Sequence, residues 1–327
     1  MISAIVLKKI NDLFEAEYKT NVNVDFLNVE DTLIEVEYSS LNYKDALAIT
    51  APNKIVKTFP FIPGIDLAGK VIESNNKNFS KGDRVVSTGY GLGEKYFGGF
   101  SSRAYVNSAY ICKLPTNLST KEAMSIGTAG LTALLCIQSL LKENIKPNDG
   151  PIAITGASGG VGSSSISILS NLGYDVVAIT SRKEPNQNYL KQLGASKVYS
   201  LNEISNNQKP LNKQLWSAVI DCVGGEILSN LLTEIKYAGC AIICGLAQSY
   251  KLNTTVMPFI LRGIKLIGID SVYQNLQSKQ NCWDNAKKLF KENYFQDNMK
   301  VIPLSEVLSY SEDLINKKVT GRLVISL

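Results

Sequence analysis

Residues 152–162 read I-A-I-T-G-A-S-G-G-V-G, and this stretch decides the fold. Its first four residues, Ile152–Thr155, predict a buried strand that runs directly into glycines at positions 156, 159 and 162. The apolar pattern of residues 161–172 then predicts a helix. Glycines between a strand and a helix let the backbone approach a diphosphate, which the free N–H groups at the helix N-terminus can bind. The segment therefore predicts a dinucleotide site, with a purely structural glycine turn as the alternative.

The end of the next strand, residues 175–180, predicts which dinucleotide is bound. An NAD site needs a carboxylate here to hold the ribose 2′-hydroxyl, but the chain continues with Ser181, Arg182 and Lys183. A serine hydroxyl and two cations suit a 2′-phosphate, so we predict NADPH, with a solvated basic loop as the alternative. The predicted cofactor contacts in these two segments are Ser158, Gly159, Gly160, Val161, Thr180, Ser181 and Arg182.

The chain on either side of the glycine loop shows two different patterns. Strands and helices alternate along residues 122–269, which predicts a doubly wound parallel sheet of the Rossmann type, an α/β fold. Residues 1–121 instead show short apolar strands separated by Gly and Pro turns, which predicts a compact β-rich domain. We expect residues 270–327, which end in a strand-like segment, to return to that first domain. The predicted helices include residues 122–141 and 228–235.

Composition excludes several classes of function. The chain has 327 residues and no histidine, so a Ser-His-Asp triad, a Cys-His dyad and a histidine-ligated zinc site are all excluded. None of the six cysteines forms a C-x-x-C pair, and we expect them to be buried, reduced thiols. The formal charge of +5 comes without a block of Lys and Arg, so no nucleic-acid partner is expected.

The apolar segments predict a cytoplasmic protein. We expect no apolar run of the roughly 20 residues that a membrane span needs. The N-terminal segment M-I-S-A-I-V-L-K-K reads as a strand rather than a signal peptide.

The glycine loop also fits the T-G-x-x-x-G-x-G pattern of short-chain dehydrogenases. In that class the loop lies near the N-terminus, whereas about 150 residues precede it here. The Y-x-x-x-K pair of that class is also missing. Both differences argue against a short-chain enzyme.

Further motifs carry a resemblance to a known family. Residues 39–46 (S-S-L-N-Y-K-D-A), 60–69 (P-F-I-P-G-I-D-L-A-G) and 155–162 resemble the zinc-independent, quinone-oxidoreductase-like branch of the medium-chain dehydrogenase/reductase superfamily. Residues 88–94, 126–133 and 254–271 look like its acrylyl-CoA reductase subfamily. The resemblance covers essentially the whole chain. It implies a GroES-like catalytic domain beside the Rossmann domain, a homodimer, and NADPH-dependent reduction of acryloyl-CoA, an acyl-CoA thioester, to propanoyl-CoA.

The resemblance also bears on metal binding. In zinc alcohol dehydrogenases of the superfamily, a Cys and a Gly-His-Glu segment hold the catalytic metal. The matching positions in this chain read Asn42-Tyr43 and Gly64-Ile65-Asp66, and the lobe with four closely spaced cysteines is absent. Both zinc sites are therefore expected to be lost.

Conjugate reduction of an enoyl thioester needs orientation, hydrogen-bond donors for the enolate and exclusion of water, but no metal. Tyr43 is the first candidate for a substrate or cofactor contact, with a packed tyrosine as its alternative. Asn42 is the second catalytic candidate, with a turn residue as its alternative. Lys44 and Asp45 are expected to form a supporting pair, and Asp66 to stabilise a turn.

Five further cofactor contacts are predicted. Thr128 begins an apolar helix and would touch the nicotinamide unless it only caps that helix. Leu246 and Ser271 follow strands and would border the nicotinamide. By resemblance, Lys197 would reach the 2′-phosphate. Arg322 would contact the cofactor, with a surface role as its alternative.

Three functions remain open from the sequence. They are an acrylyl-CoA reductase, a quinone or other enone reductase, and an NADPH-binding protein without turnover.

Overall fold

The computed structural model describes residues 1–11, 13–23, 30–51, 55–204 and 209–327. The described chain separates into two compact units. The first unit comprises Met1–Leu131, Ser271–Lys287 and Phe295–Leu327, and the second comprises Thr132–Asp270 and Lys288–Tyr294. The first change of unit falls between residues 131 and 132, inside a helix, whereas the sequence pattern placed the boundary at residues 121 and 122.

Strands dominate the beginning of the chain and alternate with helices further along it. The described strands are β1 (Ile2–Ile10), β2 (Leu13–Val22), β3 (Thr32–Leu41), β4 (Asp66–Ser74), β5 (Arg84–Thr88), β6 (Arg103–Val106), β7 (Ile111–Lys113), β8 (Ile152–Thr155), β9 (Val176–Thr180), β10 (Lys197–Ser200), β11 (Trp216–Asp221), β12 (Ile235–Ile243), β13 (Lys265–Gly268), β14 (Met299–Pro303) and β15 (Arg322–Ser326). The described α-helices are α1 (Tyr43–Thr50), α2 (Thr120–Lys142), α3 (Gly160–Asn171), α4 (Lys183–Leu193), α5 (Gly225–Leu232), α6 (Met257–Arg262), α7 (Leu276–Leu289), α8 (Tyr294–Asp297) and α9 (Val307–Ile315).

A seven-stranded sheet organises the first unit, in the order β14-β15-β3-β4-β5-β7 with β6 paired to β3. Apolar side chains of β3, β4 and β5, including Ile34, Leu67 and Val85, form one of its cores. Strand β15 runs antiparallel to β3, with Leu323 opposite Leu41. This register brings Arg322, the first residue of β15, beside the end of β3 and the start of α1.

The second unit is built on six parallel strands in the order β10-β9-β8-β11-β12-β13. Numbered within the unit, this order is 3-2-1-4-5-6, the doubly wound Rossmann arrangement. The chain reverses direction across the sheet between β8 and β11. Ligands of such sheets bind at the carboxyl ends of the strands at this switch point, where the glycine loop begins.

Helix α5 differs from its predicted position at residues 228–235. It begins at Gly225, directly after Gly224, both glycines having positive φ, and it ends at Leu232. Ile235 already belongs to β12. The prediction was wrong because an apolar run reads the same at the end of a helix and at the start of a buried strand.

Helix α2 corrects the expectation about membrane spans. Among the described residues, α2 is the one helix whose length and composition would allow it to cross a membrane. However, 78% of its most apolar window is buried inside the protein, as in the core helix of a globular protein. Gly127 also interrupts it with non-helical angles of φ 52° and ψ −161°.

Candidate active site

The glycine loop lies at the carboxyl end of β8 in the second unit. Gly156 turns the chain with φ 59°, and Gly159 precedes the first turn of α3 without any side chain capping it. A Cβ atom at position 162 would lie 2.5 Å from the carbonyl oxygen of Gly156 and 2.6 Å from the Cα of Ala157. Only glycine allows this close packing of helix against loop. Because no side chain caps the first turn of α3, its N–H groups can bind an anion.

Three polar side chains meet beside this loop. The Ser158 and Thr180 hydroxyl oxygens lie 3.1 Å apart, and the Arg182 guanidinium donates a hydrogen bond of 3.1 Å to the Ser158 hydroxyl. Partial burial lowers the pKa of Arg182, although an arginine stays charged at neutral pH. The structure thus brings together three predicted contacts in an arrangement with a cation and hydroxyl groups, which fits the 2′-phosphate of NADPH. Ser181, between Thr180 and Arg182, is exposed.

The other two predicted cations are placed differently. Lys183 pairs with Glu203, with 2.7 Å between Nζ and Oε2, so part of its charge is already compensated. This ion pair holds the pKa of Glu203 at about 2. Lys197 lies opposite Val177 at the start of β10, whereas Ser200 lies opposite Thr180. At about 3.3 Å per residue, Lys197 is roughly 10 Å along the strand from the site, so this register does not favour its predicted phosphate contact.

In the first unit, a buried carboxylate organises a polar network. Asp66 Oδ2 accepts hydrogen bonds from the Ser40 hydroxyl (2.6 Å), the Asn42 amide group (2.8 Å) and the Thr128 backbone N–H (2.8 Å). Asp66 Oδ1 accepts another from the Thr128 hydroxyl. Asp66 is fully buried. It therefore does more than stabilise a turn, the role expected from sequence.

Arg322 provides the positive charge of this network. Its guanidinium donates to Asn42 Oδ1 (3.0 Å), to the Ser40 hydroxyl (2.9 Å) and to the Ser125 carbonyl oxygen (3.2 Å). Nη2 lies 4.0 Å from Asp66 Oδ2. The residue is only 3% exposed, which excludes the surface role considered from sequence.

Gly127 and Thr128 fit this network at the break in α2. A Cβ at position 127 would lie within 2.5–2.7 Å of polar atoms of Arg322, Ser40 and Asp66, so only glycine is accommodated. Thr128 begins the second part of the helix, and the Asp66 carboxylate accepts from its N–H and its hydroxyl. Asp66, rather than Thr128 itself, thus caps this helix start.

The predicted Lys44–Asp45 pair is not formed. Lys44 instead pairs with Glu94, with 2.8 Å between Nζ and Oε1. Asp45 is buried and accepts hydrogen bonds from the backbone N–H groups of Asn42 (2.9 Å) and Ile65 (2.8 Å). Burial, and then the charge of Asp66, raise the pKa of Asp45 to about 7 despite these donors.

The two predicted catalytic residues differ in exposure. Both ends of the Asn42 carboxamide are engaged, because its nitrogen donates to Asp66 and its oxygen accepts from Arg322. Tyr43 follows as the first residue of α1 and is 52% exposed, so the alternative prediction of a packed tyrosine is wrong. Leu246, after β12 in the second unit, is 66% exposed, and Ser271 begins the second segment of the first unit with intermediate exposure.

Two family models match the chain. The alcohol dehydrogenase GroES-like domain matches residues 28–116, and the zinc-binding dehydrogenase domain matches residues 160–292. The probable acrylyl-CoA reductase AcuI of Escherichia coli is 43% identical over 90% of both chains. The acrylyl-CoA reductase AcuI of Ruegeria pomeroyi is 36% identical over 99% of both. The chain is a medium-chain dehydrogenase/reductase of the acrylyl-CoA reductase subfamily.

Solved structures of related reductases have the same fold. The YhdH oxidoreductase of Salmonella enterica, in complex with NADP, is 41% identical and covers 100% of both chains with a TM-score of 0.96. YhfP of Bacillus subtilis, a putative quinone oxidoreductase, is 39% identical, and its structure with NAD bound covers 100% of this chain and 99% of that chain with a TM-score of 0.96. The GroES-like and Rossmann folds predicted from sequence are confirmed.

This reductase does not have the ligands for the zinc that one family description implies. No group of three or more His, Cys, Asp or Glu side chains that could hold a metal ion occurs in the described part of the chain. Within the two segments that match the zinc-binding ones, the Asn42 amide group donates a hydrogen bond to the Asp66 carboxylate. The donor set therefore does not fit zinc.

The sequence interpretation missed Ser40 and Ser125 and underestimated Asp66. A hydroxyl residue beside Asn42, and an Asp where the superfamily pattern carries a zinc-site segment, were the available signals. Neither indicates an arginine partner from the far end of the chain.

Proposed function

We propose that this reductase converts acryloyl-CoA to propanoyl-CoA with NADPH as the reductant. One observation carries the substrate assignment: two relatives named acrylyl-CoA reductase match at least 90% of both chains at 36% and 43% identity. The cationic pocket formed by Ser158, Thr180 and Arg182 supports NADPH as the cofactor. When bound, NADPH supplies the hydride that the β-carbon of the enoyl thioester accepts.

The residues of the second unit would hold the cofactor. Backbone N–H groups of Gly160 and Val161, in the first turn of α3, bind the diphosphate, and the positive end of the helix dipole favours its charge. Arg182 binds the 2′-phosphate through a charge-assisted hydrogen bond, and Ser181 adds a neutral donor. Leu246 is proposed to border the nicotinamide, whereas Ser271, for which the same contact was predicted, belongs to the first unit.

The first unit would orient the substrate. Tyr43 offers an exposed phenol at the start of α1, and we assign it the hydrogen bond to the thioester oxygen, where negative charge develops as hydride arrives. Asn42 holds the start of α1 and acts as a positioning residue, since both ends of its carboxamide bond within the network. Arg322 is assigned the same indirect role, in place of a direct cofactor contact.

The decisive assay follows NADPH oxidation with acryloyl-CoA, beside crotonyl-CoA and a simple quinone, with NADH as the cofactor control. We expect acryloyl-CoA to have the highest kcat/KM and a metal chelator to leave the rate unchanged. Tyr43→Phe removes only a hydroxyl group and should lower kcat by about 10²-fold. Tyr237→Phe, at an exposed position of the second unit, is the matched control and should retain full activity. Equal rates for Tyr43→Phe and the parent would remove Tyr43 from the mechanism.

A second candidate is reduction of quinones or other enones. The 39% identity to YhfP, a putative quinone oxidoreductase, favours this alternative. Faster turnover of the quinone than of acryloyl-CoA in the same assay would establish it. Tight NADPH binding without oxidation by any acceptor would instead support a non-catalytic role.

We also propose a cytoplasmic homodimer. The six described cysteines are free, which suits a reducing compartment. Around α6, next to the edge strand β13, Val256, Ile260 and Leu261 are 66%, 73% and 56% exposed. A second copy covering this patch would bury its apolar surface. Sedimentation equilibrium should give twice the chain mass, and Ile260→Glu should give the monomer.

A further inference from the structure

Three thiols meet at the carboxyl edge of the six-stranded sheet in the second unit. Cys222 follows β11 and Cys244 follows β12, and the parallel register sets Asp221 opposite Ile243, so the two cysteines continue it as neighbours. Their sulfur atoms lie 3.8 Å apart. Cys136 of α2 is fully buried, and its neighbour Cys244 raises its pKa. None of these thiols is used by the proposed reduction.

The geometry is close to that of a disulfide. An S–S bond is about 2.05 Å long, so the two sulfur atoms need to approach by only about 1.8 Å. Neighbouring residues on adjacent strands have Cα atoms about 4.8 Å apart, within the range of about 4.4–6.8 Å that disulfides span. Rotation of the side chains can therefore close the bond while the strands stay paired. Cys222 and Cys244 are both of intermediate exposure, whereas Cys136 is buried.

The surroundings also make one thiol more reactive than the other. The neighbouring thiols of Cys136 and Cys222 lower the pKa of Cys244 well below the usual thiol value, and its S–H donates to the Asp221 carbonyl oxygen at 3.5 Å. The thiolate is the nucleophilic form of cysteine. Cys244 is therefore the thiol assigned to attack the oxidant first.

Cys222 is coupled to the cofactor loop. Its backbone N–H donates to the Thr155 hydroxyl (2.9 Å), at the end of β8. A Cβ atom at Gly156 would lie 3.2 Å from the Cβ of Cys222, so this side chain packs directly on the turn that begins the glycine loop. Rotation of the Cys222 side chain toward Cys244 would change its packing against this turn, and Leu246 lies two residues beyond Cys244.

We propose that Cys222 and Cys244 form a reversible disulfide that weakens NADPH binding. The oxidant is a hydroperoxide. Cys244 attacks one peroxide oxygen and becomes a sulfenic acid, and with hydrogen peroxide the first water leaves. Cys222 then attacks the Cys244 sulfur, the S–S bond forms, and the second water leaves. Two thiols lose two electrons and two protons, and one peroxide is reduced to two waters.

The first test identifies the bond itself. The purified chain is treated with hydrogen peroxide and digested without reductant, and its peptides are mapped by mass spectrometry. We expect a Cys222–Cys244 cross-linked peptide with the mass of two hydrogens lost, reversed by dithiothreitol. Cys222→Ala and Cys244→Ala should each abolish it, while Cys240→Ala, at a buried position of β12, should retain it. Absence of the cross-link in the parent chain, or a cross-link through Cys136 instead, would overturn the proposal.

The second test measures the consequence. NADPH is titrated by fluorescence against the reduced and the oxidised chain, without any substrate. We expect the Kd to rise at least about tenfold on oxidation, to recover with dithiothreitol, and to stay unchanged by peroxide in Cys222→Ala. An unchanged Kd in a fully cross-linked chain would refute the switch. If an alanine variant fails to fold by circular dichroism, peptide mapping and titration of the parent chain decide alone. Both readouts are independent of the proposed reduction of acryloyl-CoA.

Discussion

Replacing Asp66 by Asn removes the charge of the buried carboxylate and keeps its shape. The carboxylate lies 4.0 Å from the Arg322 guanidinium, and neither residue is more than 3% exposed. Coulomb's law gives about 4 kcal/mol for two unit charges at this distance and an effective dielectric constant of about 20. This figure agrees with the ~3–5 kcal/mol that removing one member of a buried ion pair typically costs. We therefore expect Asp66→Asn to lower the free energy of unfolding of the first unit by roughly 4 kcal/mol.

Urea unfolding followed by circular dichroism at neutral pH measures this loss. Asp83→Asn is the matched control, because Asp83 pairs with Lys113 at 2.7 Å on the surface. Exposed pairs contribute at most about 1 kcal/mol, so this control should unfold close to the parent. In the double variant with Arg322→Met, the loss of unfolding free energy should be smaller than the sum of the two single losses, since both charges are removed and no unpaired charge is left buried. A loss for Asp66→Asn no larger than that for Asp83→Asn would refute the reasoning.

Three further predictions follow from the same structure. Arg182→Ala should raise the KM for NADPH at least about tenfold and leave that for NADH nearly unchanged, because only NADPH carries the 2′-phosphate; equal effects in steady-state kinetics would contradict the cofactor assignment. Gly162→Ala should abolish NADPH binding in calorimetry, since its Cβ would lie 2.5 Å from the Gly156 oxygen, and binding at parental affinity would show that the loop adapts. With a pKa raised from 3.8 to about 7, folded Asp45 keeps a proton that the unfolded chain releases, so stability should fall as pH rises from about 4 to 7. Asp45→Asn removes this dependence, so the melting temperature of the variant relative to that of the parent should rise as the pH rises over this range. A difference in melting temperature that stays constant with pH would contradict the titration of Asp45.

Much of the fold could be predicted because its signals are local. The strands Ile152–Thr155 and Lys197–Ser200 occupy the predicted residues, since each is short and contains β-branched or aromatic residues, with Gly156 after the first and Ser196 before the second. Helix α5 was displaced because nothing in an apolar run separates its end from the start of β12. An isolated glycine in a helical pattern is usually tolerated, so residues 122–141 were predicted as one helix, although Thr128 was also predicted to begin an apolar helix.

The cofactor loop was predictable for the same reason, and the buried network was not. Ser158, Thr180 and Arg182 lie within two short segments that flank adjacent parallel strands, so their meeting follows from the fold type. Asp66 and Arg322 meet only because β15 inserts beside β3, and no local pattern reports that pairing. A lone arginine near the end of a sequence therefore reads equally as a surface residue.

The network also constrains the chemistry. In the zinc alcohol dehydrogenases of the superfamily, the positions of Asn42 and Asp66 belong to segments that hold a metal. In this chain Arg322 supplies the positive charge, but its donors point at the oxygens of Ser40, Asn42 and Ser125, and it is nearly inaccessible to solvent. This charge stabilises the protein and does not polarise a substrate carbonyl. With Tyr43 as the proposed neutral donor to the substrate oxygen, we expect the electrophile to depend on its own conjugation, as in an enoyl thioester or a quinone, and an unconjugated ketone to leave NADPH unoxidised.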